Sequence, residues 1–253
     1  MPRILLESWD SVFMAVTNTS TVFSSGTSFI IHRKEKAHFD ELFFMTNNHV
    51  LARECPGLGK CAPMSLMQRA LVAYKDDRPV LVDLENESGL EYLEVEIFKR
   101  STNPDMALIK VRIPKSAMTP RPLKLARECA GASTGKLYTI GFSKTKERKY
   151  TRVEIEAQDV NYKRWSEGIS TGHKHMSDAV EGTVHLEGTT IDILGGGSGG
   201  PVLNEKGELV GLMKAGYGSE RDSFSYRGDE TPGALEPHSF IVSCDELQKF
   251  LDF

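Results

Sequence analysis

No stretch of this chain approaches the roughly 18 consecutive apolar residues that a spanning helix needs, so no membrane crossing by a helix is expected. At the N-terminus, Glu7 and Asp10 interrupt any apolar leader core. The protein is therefore expected in the cytoplasm of the cell that makes it, or in the periplasm if a leader was trimmed. Charge of one sign is also lacking. With 31 basic and 35 acidic residues the net charge is −4, which gives no global field for nucleic acid or an anionic membrane. Cysteine is scarce: Cys55, Cys61, Cys129 and Cys244 are the whole complement. Neither Thr46–Leu51 nor Ile191–Gly197 contains one, and Cys55 and Cys61, close enough to close a short loop, are expected as reduced thiols. There is no second cysteine pair to complete a zinc site. His173-Lys174-His175 lies in a Gly/Ser-rich stretch without nearby ligands and reads as a loop, so neither metal nor cofactor is expected. The basic run Lys144–Lys149 has no interleaved aromatics and reads as a solvated hairpin loop. No Lys-Ser/Thr pair follows Gly199-Gly200, which excludes a phosphate-cradling loop.

What the chain does have is Gly195-Gly196-Gly197-Ser198-Gly199-Gly200-Pro201. Each glycine costs roughly 0.5–1 kcal/mol relative to alanine inside a regular element. Five of them around one serine need a reason beyond stability. A sharp turn whose N–H groups converge beside the serine hydroxyl supplies one, since acyl transfer places negative charge on an oxygen there. A serine hydroxyl also needs a base, and the base needs a partner to fix its tautomer. Phe43-Phe44-Met45-Thr46-Asn47-Asn48-His49-Val50-Leu51 runs an apolar strand into a polar corner ending in histidine. Asn103-Pro104-Asp105-Met106-Ala107-Leu108-Ile109-Lys110-Val111 places an aspartate at the entry to a second apolar strand. Taken singly, His49 reads as a hydrogen-bonded corner residue and Asp105 as a turn residue. Together, in this order, they read as a catalytic triad.

Thr-Asn-Asn-His-Val, Asp-Met-Ala-Leu-Ile-Lys-Val and Gly-Gly-Ser-Gly-Gly-Pro-Val resemble the three catalytic blocks of the trypsin/chymotrypsin superfamily. Their flavour is that of the bacterial HtrA/Deg protease domain. The resemblance implies an all-β fold, a chymotrypsin-like double six-stranded antiparallel β-barrel with a C-terminal helix. It implies a serine endopeptidase in which Ser198 is the nucleophile, His49 the base and then the acid, and Asp105 the group that orients His49. The backbone N–H groups of Gly196 and Ser198 would form the oxyanion hole. A histidine base must start neutral, so activity is expected to fall below about pH 6–7. Trypsin-type zymogens carry an aspartate before the nucleophile. Gly197 stands there instead, so regulation is expected through loop ordering by a partner or peptide. HtrA-type enzymes usually carry PDZ domains, and none is expected in the two residues after Leu251. The substrate would be a protein or peptide lying extended in the cleft and pairing with strand edges. A silent fold that only binds peptides is the competing reading.

Asp192 stands six residues before Ser198, where trypsin keeps the carboxylate that selects Arg or Lys. With Lys214 and Gly216 on the wall, it is a candidate for the base of the S1 pocket. The alternative is a surface aspartate, with small aliphatic residues preferred as in HtrA-type enzymes.

Val12–Val16, Gly26–Ile31, Phe43–Thr46, Tyr92–Phe98 and Met106–Val111 read as strands of a first unit, residues 1–118. Leu66, Ala70 and Leu71 fall at helical spacing and predict a short helix near Ser65–Tyr74. The stretch Pro114–Pro122 reads as the connection to a second unit, residues 119–253. There, Leu137–Phe142, Tyr150–Ala157, Thr183–Leu186, Pro201–Leu203 and Leu209–Lys214 read as strands. Ser243 with Glu246 three residues on predicts a capping box opening a helix whose apolar stripe is Leu247, Phe250 and Leu251. The long polar segment Gly216–Gly233 is expected to flank the cleft and shape substrate choice.

Overall fold

A computed structural model describes residues 1–18, 23–51, 59–60, 64–67, 70–75, 78–83, 90–93, 95–115, 120–130, 133–150, 155–179, 182–193, 195–216 and 237–252. The first half contains α1 (Arg3–Trp9), β1 (Val12–Asn18), β2 (Phe23–Glu35), β3 (Phe39–Thr46), the one-turn α2 (Asn48–Leu51), β4 (Gly59–Lys60), β5 (Met64–Met67), β6 (Ala70–Lys75), β7 (Arg78–Asp83), β8 (Leu90–Leu93), β9 (Glu96–Ser101) and β10 (Met106–Pro114). The second contains β11 (Lys136–Tyr150), β12 (Ile155–Ala179), β13 (Gly182–Thr189), β14 (Pro201–Leu203), β15 (Leu209–Gly216), β16 (Ser239–Ser243) and α3 (Cys244–Leu251). One sheet runs β4-β9-β10-β3-β2-β1-β5-β8. In the other, β11-β14-β15-β16-β13-β12 closes through the β11–β12 pairing into a six-stranded barrel. The β6–β7 hairpin, early in the chain, joins this second sheet through Asn161 opposite Val72. The architecture is the chymotrypsin-like all-β fold.

The strands at the middle read as continuous apolar runs because both their faces are buried. Successive side chains of a strand point to opposite faces. On β10, Ala107, Ile109, Val111 and Ile113 enter the core of the first sheet. Met106 and Leu108 point the other way, into a core shared with Tyr138, Ile140, Leu203 and Leu212 of the second barrel. Phe44 and Phe43 on β3 divide in the same manner. A third core, with Leu137, Ile193, Val202, Val210, Met213 and Ile241, fills the second barrel. The shared core glues the halves together. Each fully buried side chain of this size contributes about 1.5–3 kcal/mol.

Helix α3 covers that shared core with Leu247 and Phe250. Lys99 of β9 donates to the Phe250 carbonyl at the C-terminal end of α3 (2.6 Å), so a cation from the first sheet meets the negative end of the helix. No helix among the described residues is long and apolar enough to cross a membrane.

Several local expectations are corrected. The segment predicted as a helix near Ser65–Tyr74 forms β5 and β6, because β1 and β7 offer it ladder partners that outweigh its helical spacing. Lys144–Lys149 is strand rather than loop, paired with β12 out to Tyr150 opposite Ile155. Ser243 does occupy the N-cap of α3, but its side chain makes no capping bond, and Glu246 pairs with Lys249 instead (3.0 Å). The short α1 was not anticipated. It has no side-chain N-cap and is held by Leu5, which is fully buried in the shared core. Cys129 and Cys244 form a disulfide across 115 residues, tying α3 to the segment before β11. Sequence spacing alone does not reveal such a pairing. Cys55 and Cys61, and most of Gly216–Gly233, lie outside the described residues.

Candidate active site

Strand β3 ends at Thr46, and the chain turns through Asn47 into α2, which carries His49. The Asn47 side-chain amide donates to the Asp105 carbonyl (2.8 Å), fastening this corner to the start of β10. The Asp105 carboxylate then holds His49 twice. One oxygen accepts the His49 backbone N–H (2.9 Å) and the other lies 2.6 Å from Nδ1. A carboxylate so close to Nδ1 favours a proton on that nitrogen, which leaves Nε2 as the acceptor. The ring is half exposed, whereas Asp105 is buried. Burial by itself raises the Asp105 pKa. The His49 hydrogen bonds, the His49 charge and the Lys214 charge outweigh it and hold the carboxyl below its ordinary 3.8. Asp105 is therefore a carboxylate at neutral pH.

Ser198 sits in the loop between β13 and β14. The loop is anchored by its backbone: the Gly199 N–H donates to the Met213 carbonyl (2.8 Å), the Met213 N–H to the Gly200 carbonyl (2.8 Å), and the Gly200 N–H to the Gly197 carbonyl (3.1 Å). Gly199 has φ +84°, and a Cβ there would overlap the Thr27 carbonyl and the Thr46 hydroxyl. At Gly197 a Cβ would overlap Ile193 and lie 2.7 Å from the Ser143 hydroxyl. There is no room at that position for the aspartate of a trypsin-type zymogen switch. The N–H groups of Gly196 and Ser198 donate to no backbone carbonyl of another described residue.

The two halves of the site touch. A Cβ on Gly26 would lie 2.6 Å from the Val50 side chain and 3.3 Å from the Ser198 carbonyl, so the residue after His49 and the nucleophile loop flank the same strand. The chain thus brings His49, Asp105 and the Ser198 loop to one place. The Ser198 hydroxyl itself donates to the Lys214 carbonyl (2.9 Å). The β15–β16 register skips at Lys214, a bulge that re-aims this carbonyl.

A profile of the trypsin-like peptidase domain matches residues 26–212. The chain belongs to the trypsin-like peptidase family. Among solved structures it is similar to the active form of the Rv3671c protease from M. tuberculosis (TM-score 0.57, 16% identity, 98% of this chain and 82% of that chain). It is similar to Deg5 (0.57, 17%, 97% and 89%) and to the HtrA-type protease AlgW with a tripeptide (0.57, 17%, 97% and 60%). These likenesses carry the fold. None of the curated proteins matches. This peptidase fold is that of trypsin-like, HtrA-like serine proteases.

The remaining candidates are Asp192, Lys214 and Gly216. Asp192 is exposed between buried Ile191 and Ile193. Lys214 is half-buried on β15, and its charge acts on Asp105. Gly216 ends β15 opposite Ser239. Sequence reasoning missed Asn47, Thr27 and the Lys214 carbonyl. Only Asn47 left a signal, as the polar residue two before His49.

Proposed function

We propose that this peptidase is a serine endopeptidase working through an acyl-enzyme. Ser198 attacks the scissile carbonyl, His49 takes its proton and returns it to the leaving amine, and Asp105 orients His49 and stabilises its cation. The N–H groups of Gly196 and Ser198 bind the oxyanion. The protein or peptide substrate lies extended along β15 and pairs with its backbone. The observation that supports this reading is the double hold of Asp105 on His49, which leaves Nε2 free to act as the base, on the corner whose next residue, Val50, flanks the same strand as the Ser198 loop.

One observation favours a second reading, a resting enzyme that waits for activation. The Ser198 hydroxyl is engaged by the Lys214 carbonyl, and must turn to His49 before it can react. Labelling with a fluorophosphonate at neutral pH, beside Ser198→Ala, separates the two. Labelling confined to the wild type is expected of the endopeptidase. An unlabelled but folded wild type, labelled only after peptide is added, is expected of the resting form. No labelling under either condition would overturn the catalytic reading.

A further inference from the structure

We propose that Thr27 is a positioning residue that sets the orientation of the oxyanion loop through its side-chain hydroxyl. The proposal rests on the serine-peptidase reading for its catalytic consequence.

Thr27 lies on β2, in the sheet that does not carry Ser198, and is fully buried. Its backbone N–H donates to the Ser198 carbonyl (2.8 Å), and its carbonyl accepts the Thr46 hydroxyl (2.7 Å) at the corner leading to His49. Any residue except proline could supply the N–H, and any residue at all the carbonyl. The hydroxyl is what threonine adds. It accepts the Phe142 backbone N–H (2.9 Å) and donates to the Gly196 carbonyl (3.0 Å).

The direction of this relay is fixed by chemistry. A backbone N–H can only donate and a carbonyl can only accept, so the hydroxyl proton points at Gly196. Both groups it serves are backbone groups inside the protein, and each needs a partner there. The Gly196 carbonyl belongs to the peptide between the two proposed oxyanion donors, the N–H of Gly196 and the N–H of Ser198. Gly196 has φ +90°, and it is flanked by Gly195 and Gly197. Glycine populates both signs of φ almost equally, so local sterics do little to hold this peptide plane. The Thr27 hydroxyl is the side-chain tether on it. Because the same residue binds the Ser198 carbonyl and the Thr46 hydroxyl, it registers the loop against the His49 corner.

The test compares Thr27→Val, which keeps the branched shape and loses the hydroxyl, with Thr27→Ser, which keeps the hydroxyl, and with the smaller Thr27→Ala. Losing a whole oxyanion donor costs roughly 100–1000-fold in rate. A misoriented loop should therefore lower kcat and the fluorophosphonate labelling rate by roughly 10- to 100-fold for Thr27→Val and Thr27→Ala, with KM within about two-fold. Thr27→Ser should stay near wild type. Hydrogen exchange of a peptide covering residues 195–203 should quicken in the two variants without the hydroxyl and not in Thr27→Ser. Unchanged exchange and rate in a folded Thr27→Val or Thr27→Ala would overturn the proposal. So would a Thr27→Ser protein as impaired as Thr27→Val, which would assign the effect to the methyl group. Should Thr27→Val fail to fold, Thr27→Ala against Thr27→Ser decides alone. A wild type that neither labels nor turns over would refute the catalytic reading, while the exchange comparison would still judge the tether.

Discussion

The two halves of the site are held by different kinds of force. On the first sheet, side chains do the holding: Asp105 grips His49 at two atoms and Asn47 fastens the corner to Asp105. On the second barrel, backbone groups and steric exclusion do most of the holding of the Ser198 loop, with Gly197 and Gly199 packed where no Cβ fits and the Thr27 hydroxyl reaching it from the other sheet. Side-chain chemistry can be deleted one group at a time with little movement of the chain. A loop packed where no Cβ fits is broken most directly by adding atoms. Substitutions on the two sides should therefore fail in different ways.

The largest effect is expected on the side-chain half. In Ser-His-Asp hydrolases, removing the base costs on the order of 10⁴–10⁶ in kcat, since binding and the oxyanion hole alone remain. His49→Ala should do this here at a stability cost no larger than one hydrogen bond to a charged group, about 1.5–3 kcal/mol, because Asp105 loses its Nδ1 partner and keeps the backbone one. A His49→Ala protein retaining a tenth of wild-type turnover would assign the base to another residue.

Next comes the backbone half. Gly197→Ala must push Ile193 or Ser143 aside, or shift the loop. We expect roughly a 100–1000-fold loss in kcat, the worth of one oxyanion donor. The His49–Asp105 pair should survive, read as an unchanged Nδ1 proton resonance. If that resonance also disappears, the halves are not independent and the contrast drawn here fails.

The contrast also explains what could be read in advance. His49, Asp105 and Ser198 were legible as candidates because the chemistry proposed for them requires particular residue types in short contexts. The alternation of β10 between two cores was half legible: the apolar run showed, but not which residues faced which core. Pairings over long sequence distances were not. Leu66, Ala70 and Leu71 fit a helix, and pairing of β5 with β1 and β8 and of β6 with β7 and β12 makes that segment strand. Cys129 finds Cys244 because β16 leads into α3 beside the segment after Leu125. Nothing in Gly26-Thr27-Ser28 announces a tether, since its targets are backbone atoms of a distant loop.

A smaller effect follows from the Asp105 charge. Its pKa lies below 3.8 in the folded protein, so its contribution to stability is fully present above the unfolded value and is lost as pH falls through the lower, folded one. Asp105→Asn removes that contribution. The stability gap between wild type and variant should be about 1.5–3 kcal/mol near pH 6, the range of a hydrogen bond to a charged group, and should close in strong acid. Urea melts at pH 6 and pH 3 measure it. A gap that widens in acid would contradict the direction of the shift.

The smallest effect separates the two roles of Lys214. Its carbonyl is backbone and survives any substitution there, so the contact with the Ser198 hydroxyl should persist in Lys214→Met. Its ammonium is one of the charges that hold the Asp105 pKa down, after the His49 bond and the His49 charge. Removing it should let that pKa rise, while the His49 bond and charge still hold it down. The acid-linked loss of stability should then begin at slightly higher pH than in the wild type. The labelling rate at neutral pH should stay within about two-fold, since Asp105 is still ionised there and His49 is still oriented. Should Lys214→Met instead lose labelling at neutral pH, the ammonium would belong to the reacting site rather than to its electrostatic surroundings. The line between a side-chain half and a backbone half would then run through Lys214 itself.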